Sequence, residues 1–555
     1  MNGSNSLLMT NSVPSAAGEN TGFRAGNLAL PLLLLGISVL LLFLSVPYEA
    51  DLWWSDATRH TMDGVFFHDL IRDLPVGHLK QYAMDYYIQY PALATLFYPP
   101  LFSLAEAVSF AIFGVSKGAA LLTVAVFYLA AAWGIFVLSR RWLDGMAAFA
   151  VSLLFVGAPE VTLWGRQIML EIPACAFLIW SGVVFFRYLD QNRPGLFYLL
   201  VILLSAGAYT KQTVLFIVPV FAWILYSRKG RAIFRDRHIW GGVALLGLSL
   251  LPLVWVTLTL ARFNVELAVH EGATQDPVFS LAGLSYYLRQ FPQQTNWILC
   301  VLAATTLIAT AVRKSWRGEA EKFFAGWLVL GYIFFSLIAL KDSRYTVLIL
   351  LPLAFFAVRG VVGFAPRIGP YLVLVFSLAC YGYTLLERPV PYVLGYAEAV
   401  DYVATHAPHG GVVMFSGYRD GAFVVDMRLR EDRRDLSVLR ADKLLLKVKQ
   451  RRDLGVSERN ITEAETAEML NLYGVSYVVD QPNFWDDLKN MQQLQRVLHT
   501  KQFRLVDTIA IVSNVGHLDR KLEIYQNLGP LNAHRERIRM ELPMAGLVME
   551  GKLGE

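Results

Sequence analysis

Two groups of ionisable residues stand where a lipid-facing chain would otherwise avoid charge. The first lies in Glu49-Ala50-Asp51-Leu52-Trp53-Trp54-Ser55-Asp56-Ala57-Thr58-Arg59-His60, directly after the apolar run Leu28 to Val46. Carboxylates just past a membrane span, beside two Trp at interface depth, can work at the lipid surface. Asp56 is singled out there, although it also suits capping a helix entered at Ala57 or simply enforcing an outside orientation. The second carboxylate is Glu171 in Gly165-Arg166-Gln167-Ile168-Met169-Leu170-Glu171-Ile172-Pro173. An ionisable group at membrane depth usually faces a bundle interior or a water cavity, and an acid in a first helical turn also complements the helix dipole. The cations are Lys211 in Tyr209-Thr210-Lys211-Gln212-Thr213, and Lys341, Arg344 and Tyr345 in Lys341-Asp342-Ser343-Arg344-Tyr345. A phosphate at the interface needs such a set, with Arg giving planar paired donors and Lys a point charge. Snorkelling to headgroups accounts for any one of them alone. Together they fall on the outer side, where basic residues are disfavoured, and functional use supplies a reason.

The elements that must position these residues are membrane spans. The chain has 555 residues and only 17% charged ones, against about 25% in an ordinary soluble protein. Nearly all the surplus apolar residues lie before about residue 387, in runs of the roughly 20 residues that cross a bilayer. The formal charge of +5 comes from basic loops between these runs, so it encodes orientation and is no nucleic-acid footprint. If 97–113 lies along the interface, the basic clusters fall into phase: Arg140-Arg141, Arg187 with Arg193, Arg228 to Arg237, Arg313 to Arg317, and Arg359 with Arg367 all become cytoplasmic. About eleven spans follow, near 28–46, 118–138, 146–164, 172–188, 196–210, 213–227, 240–261, 296–312, 323–340, 345–362 and 370–386. The odd count leaves the polar, Ser/Asn/Gly-rich residues 1–27 inside, where they are expected to be disordered, and everything after Glu387 outside.

That tail, 387–555, changes character. Short alternating stretches at Gly411 to Ser416, Val475 to Asp480 and Thr508 to Val512 read as strands. Tyr396 to Thr405 and Thr462 to Leu472 have helical spacing, the second opening on a Thr462-Glu463-Ala464-Glu465 capping box. The fold class is therefore an α-helical polytopic membrane protein, with interfacial helices in its first external loop and a small C-terminal α/β domain. Cys175, Cys300 and Cys380 all sit inside apolar runs, so neither a disulfide framework nor a zinc site is proposed. Phe484-Trp485-Asp486-Asp487 in the tail resembles nothing specific.

With these residues placed, the chain resembles the C-type glycosyltransferase superfamily over about residues 28 to 386, and within it the bacterial group around protein O-mannosyltransferases and lipid A aminoarabinose transferases. The first external loop of that family carries an acid, a small residue and an Arg-aromatic pair, which Ser55-Asp56-Ala57-Thr58-Arg59-His60 fits loosely. Tyr98-Pro99-Pro100-Leu101 through Phe113-Gly114 matches its Pro-Pro-Leu segment. Arg140-Arg141, Arg166 to Pro173, Thr210-Lys211, and Arg344-Tyr345 before Leu351-Pro352 follow in the family's order. Tyr98 stands where many relatives have Lys, and Glu171 where many have Asp.

The resemblance implies a bacterial inner-membrane enzyme that moves a sugar from a polyprenyl-phosphate donor to a lipid, glycan or protein acceptor outside, with inversion. It implies Asp56 as catalytic base and Lys211 with Lys341, Arg344 and Tyr345 as holders of the carrier phosphate. Arg59, Arg166 and Tyr98 are further candidates for substrate contact. Glu171 would orient Asp56 or the acceptor, or share a divalent cation with it. The non-enzymatic alternative, a lipid-linked sugar flippase, should place ionisable residues near the midplane of several spans, whereas the candidates here cluster at external ends. An oligosaccharyltransferase or glycan polymerase should carry an acceptor-reading motif in the outer domain, and none is found.

Overall fold

The computed structural model describes residues 28–269, 276–313, 318–448, 452, 455–532, 537–542, 546–551 and 553. The expected disorder of 1–27 lies outside the described residues. Each predicted span holds a helix. The first, α1 (Ala29–Leu44), leads into a segment of three helices, α2 (Ser55–Asp73), α3 (Leu79–Gln89) and α4 (Leu101–Phe113). At 13 residues α4 is about 20 Å long, too short for a hydrocarbon layer of about 30 Å. It packs instead along α2. Gly64 allows this approach, because a Cβ there would stand 2.7 Å from the Cβ of Glu106.

Then follow α5 (Lys117–Ser139), α6 (Gly145–Val156), α7 (Pro159–Gly165), α8 (Glu171–Gln191), α9 (Pro194–Thr210), a 3-10 turn at Gln212–Ile217 that leads into α10 (Val218–Lys229), and α11 (Arg237–Thr259). After α12 (Arg262–Val269) and α13 (Leu281–Gln294) come α14 (Trp297–Val312), α15 (Glu319–Ser336), a 3-10 turn at Ser343–Ile349, α16 (Leu351–Phe364) and α17 (Gly369–Glu387). Side-chain caps start several of them: Ser116 accepts from the Ala119 N–H, Asp144 from that of Ala147, and Asn296 from that of Leu299.

Five of the described helical segments are long and apolar enough to cross a membrane, or seven if two bent pairs each count once. Eleven crossings exceed that number, since α1, α9 and α14 have only 16 or 17 residues and α15 opens on charged residues. The expected continuous span at 146–164 is broken. Its two pieces, α6 and α7, meet at 61°, because Pro159 has no N–H to continue the ladder and Gly157 is pressed against the Tyr381 backbone. A second break of 50° separates the Ser343–Ile349 turn from α16. Both breaks aim chain ends at the same place, as the site shows.

At the opposite end of the bundle the basic residues read as cytoplasmic gather their acids. Arg141 is fully buried and donates to Asp190 at 2.5 and 2.8 Å and to Glu319 at 2.8 Å. Arg228 shares Glu319, and Arg359 holds Glu321 at 2.7 Å.

The tail folds as an α/β domain around a five-stranded sheet. In chain order its elements are β1 (Val393–Leu394), α18 (Tyr396–His406), β2 (Val412–Ser416), α19 (Asp420–Leu429), β3 (Ser437–Arg440), α20 (Ala441–Leu444), β4 (Leu446–Val448), β5 (Val456–Glu458), α21 (Glu463–Leu472), β6 (Val475–Asp480), α22 (Lys489–Leu498), β7 (Phe503–Ala510), β8 (Val512–Ser513) and β9 (Lys521–Asn527). The sheet order is β3-β2-β6-β9-β7, with β3, β2 and β6 parallel and the rest antiparallel. The Thr462 capping box is formed, Thr462 N–H donating to Glu465 at 2.7 Å and Glu465 N–H to the Thr462 hydroxyl at 3.2 Å. This domain is not a pendant. Met62 and Phe66 from α2 and Tyr86 from α3 are buried in one core with Val400, Phe415 and Phe423. Arg428 of α19, itself fully buried, donates to the buried Asp69 of α2 at 2.5 Å. The α2–α4 segment is therefore clamped between the apolar helices and the C-terminal domain, which fixes the position of whatever α2 carries.

Candidate active site

Asp56 sits in the first turn of α2. Its carboxylate does not cap that helix, which begins at Ser55 with Trp54 before it. The oxygens are taken by side chains instead. Oδ1 accepts from the Tyr98 hydroxyl at 2.8 Å and from Arg59 at 3.0 Å, and Oδ2 accepts from Arg344 Nη1 at 2.6 Å. Tyr98 comes from the loop before α4, and Arg344 from the 3-10 turn at the second helix break. Burial on its own would push the Asp56 carboxyl up, but Arg344 and Arg59, with a smaller contribution from His60, outweigh it and hold the group well below the usual carboxylate range.

A second ion pair stands beside this one. Lys211, at the end of α9, donates to Glu171 Oε1 at 2.6 Å. Glu171 is 2% exposed and its Oε2 has no hydrogen-bond partner. Tyr345 joins the two pairs: its ring receives Lys211 Nζ at 5.3 Å and the Arg344 guanidinium at 5.8 Å. Arg344 also lies 5.6 Å over Trp164, at the first helix break. Its Nε is 3.0 Å from Asp342 Oδ2 but is not aligned to donate, so the directional bond goes to Asp56. Seven of the sequence candidates thus converge: Asp56, Arg59, Tyr98, Glu171, Lys211, Arg344 and Tyr345. Tyr98 bonds the carboxylate.

Two candidates do not join them. Arg166 is 2% exposed, and its guanidinium is spent on the Thr162 carbonyl, the Ser45 hydroxyl at 2.8 Å and the Arg388 carbonyl at 2.5 Å. It ties the end of α1 to the start of the C-terminal domain. Lys341 donates to the carbonyls of Ser336 and Ile338, closing the end of α15, and faces the Tyr287 ring. Lys341 thus serves a helix end in this structure. A shared divalent cation also fits poorly, since each carboxylate already faces cations: Asp56 faces Arg344 and Arg59, and Glu171 faces Lys211.

Several residues of the site carried no sequence signal strong enough to assign. His60 packs its ring 4.4 Å from that of Tyr98 and leaves Nδ1 buried without a partner. Burial pushes its pKa down to about 4 against a smaller opposing pull from Asp56, so it is neutral at physiological pH. Glu160, at the first helix break, accepts from Trp164 at 2.7 Å and from Ser343 at 2.6 Å, tying the two breaks together. Behind α2 lies a second pair of acids, Asp63 and Glu106, both held well above the usual range, chiefly by burial. A lone acid inside the apolar run 101–113 was the available signal for Glu106.

Comparison with known proteins bears on the fold. Residues 98–255 match the family described as dolichyl-phosphate-mannose-protein mannosyltransferase. The chain is similar in structure to ArnT from Cupriavidus metallidurans, solved bound to undecaprenyl phosphate, with a TM-score of 0.62 and 13% identity over 92% of this chain and 100% of that one. It is also similar to the Archaeoglobus fulgidus oligosaccharyltransferase, with a TM-score of 0.54 and 12% identity over 82% of this chain and 69% of that one. Arabinofuranosyltransferase AftD from Mycobacteria gives a TM-score of 0.53 at 15% identity, over 91% of this chain and 40% of that one. The chain thus has the fold of the C-type membrane glycosyltransferases, and its residues 98–255 carry the mannosyltransferase family match.

Proposed function

We propose that the protein transfers a sugar from a polyprenyl-phosphate donor to an acceptor hydroxyl at the outer face of a bacterial inner membrane, with inversion at the anomeric carbon. The observation that carries this reading is the Arg344 guanidinium, which bonds Asp56 at 2.6 Å and shares the Tyr345 ring with Lys211. A carboxylate held by two guanidinium groups is a weak base, and a donor phosphate changes that. The phosphate competes for Arg344 and Lys211, drawing the guanidinium off Asp56. Asp56, relieved of its strongest partner, rises toward the ordinary range and accepts the proton of the acceptor hydroxyl. The acceptor oxygen attacks the anomeric carbon, the bond from that carbon to the phosphate oxygen breaks, and the polyprenyl phosphate leaves with the electron pair. Positioned base catalysis contributes about 10² to 10⁴ in rate. The larger share comes from cations already in place for the leaving phosphate. Glu171 keeps Lys211 in position for that contact.

The structures solved with undecaprenyl phosphate and with dolichol phosphate support this choice of carrier by likeness of fold. Native mass spectrometry of gently solubilised protein tests it. A co-purifying polyprenyl phosphate is expected on the wild type and is lost from Lys211→Ala and Arg344→Ala. Well-folded wild type that carries no such lipid and takes none up from added undecaprenyl phosphate overturns the reading.

A further inference from the structure

The outer domain presents to the membrane half a cavity of about 520 Å³. One wall is α2, through Ser55, Thr58 and Arg59, the neighbours of Asp56, together with α3 and the mainly apolar loop 91–97. The other consists of segments that leave the carboxyl ends of the three parallel strands. Tyr418 and Asp420 follow β2, Arg440 ends β3 with Asp442 and Lys443 just beyond, and Phe484 and Trp485 follow β6. The chain leaves β2 for β3 on one side and returns to β6 on the other, so β2 borders the point where strand order reverses. In open α/β sheets ligands bind in the crevice outside the carboxyl ends of the strands at such a point.

The chemistry of this wall is specific. Arg440 holds both oxygens of Asp442, at 3.0 and 2.8 Å, pairs with Asp420 and donates to the Pro91 carbonyl at 3.1 Å. The result is a fixed row of acceptors and donors, and Lys443 beside it makes no hydrogen bond or ion pair among the described residues. Above the row are two aromatic side chains buttressed by a third. Phe484 stacks on Trp485 at 4.7 Å and meets Tyr418 edge-on at 5.1 Å, and the Arg452 guanidinium, which also lines the cavity, lies 5.6 Å over the Trp485 ring. Trp485 has φ of 48°, in the left-handed region. For a bulky side chain that conformation is strained, and such residues collect at ligand clamps.

We infer that this cavity is a saccharide subsite: Trp485 receives the apolar face of a sugar ring while Asp420, Arg440, Asp442 and Lys443 hold its hydroxyl groups. A flat aromatic face beside paired carboxylate and guanidinium matches a ring that is apolar on its faces and polar around its edge. The cavity opens beside Asp56, so the bound sugar is the acceptor's; that last identification rests on the proposed transferase function.

Saturation-transfer NMR on the whole protein in lipid nanodiscs tests the subsite, with mannotriose, arabinotriose and maltotriose as probes, and inorganic phosphate and a serine-containing tripeptide as competitors. Saturation of at least one trisaccharide is expected. Trp485→Ala weakens it about tenfold or more, whereas Trp485→Phe, which keeps a stacking ring, stays within about threefold. Lys443→Ala weakens binding without disturbing the Arg440 row. Asp56→Asn leaves binding intact. No saturation of any of the three sugars, undiminished saturation in Trp485→Ala, or displacement by phosphate or the tripeptide overturns the assignment. Donor turnover is read separately in the same preparation. Sugar binding without any donor use sinks the transferase reading and leaves the subsite standing, and donor use without sugar binding does the reverse.

Discussion

Arg344 Nη1 donates to Asp56 Oδ2 at 2.6 Å across 288 residues of sequence, joining the start of α2 to the second helix break. The pair holds the proposed base and a proposed phosphate ligand in each other's grip before substrate arrives. Asp56→Asn keeps the shape and the Tyr98 contact but cannot take a proton. Transfer should fall by about 10² or more while polyprenyl-phosphate binding persists. Arg344→Lys keeps a charge but loses the planar fork. It should lower both donor binding and turnover, and should move the acid limb of the pH profile upward as Asp56 is released toward the ordinary range. A profile for Arg344→Lys that superimposes on the wild type would remove the coupling between the two residues.

Lys211 and Glu171 form a partly desolvated pair, with side-chain exposures of 16% and 2%. Removing one partner of such a pair leaves a buried charge, at a cost of about 3 kcal/mol. Lys211→Ala should therefore lower the melting temperature in detergent as well as donor affinity. The double variant Lys211→Met with Glu171→Gln should regain most of the stability and none of the donor binding. Recovery of both together would show that Lys211 acts on the donor only through the fold.

What the sequence disclosed, and what it did not, follows from the range of the forces involved. Apolar runs and basic loops are local, so the helices lie where the runs are, and the Thr462 cap forms as spelled. The break between α6 and α7 was hidden because Pro159 is compatible with an apolar run and only the missing N–H bends the chain. Lys341 and Arg344 are three residues apart and read alike as external cations. One meets the loose carbonyls of α15, the other a carboxylate from α2, and nothing local separates these fates. Arg166 is the same case, since its partners at Ser45 and Arg388 are set by the fold alone. Trp485 was set aside for want of a motif. Its meaning lies in a backbone angle and in two strands that end beside it.

Arg428 and Asp69 are both wholly buried, and Asp69 also receives the Tyr86 hydroxyl at 2.9 Å. This network bolts α19 to α2 and so fixes the orientation of Asp56. Arg428→Ala should cost about 3 kcal/mol, because the buried Asp69 loses its shortest cation and keeps Arg72 at 3.3 Å, Arg434 at 3.5 Å and the Tyr86 hydroxyl. Protease should then cut the outer domain free at temperatures where the wild type resists. Arg428→Met with Asp69→Leu, which replaces the pair by apolar volume, should be close to wild type in stability. A double variant as labile as the single one would show that the charges themselves hold the interface.

His60 sets the acid stability of the site. Its folded pKa of about 4 lies below the unfolded value of 6.5, so between these values the unfolded chain binds the extra proton. Stability should fall as pH drops from 6.5 toward 4, by roughly 3 kcal/mol in total, and change no further from this source below that. Asp56 acts in a different window. Its folded pKa is depressed, so the stability it contributes is present above its unfolded value and is lost only as pH falls further, toward the folded one. His60→Phe keeps a ring against Tyr98, which the wild-type imidazole meets at 4.4 Å, and carries no proton to gain. Thermal unfolding in detergent from pH 7 to pH 4 should show a sloping melting temperature for the wild type and a nearly flat one for His60→Phe. Parallel slopes for the two proteins would assign the acid sensitivity to other groups.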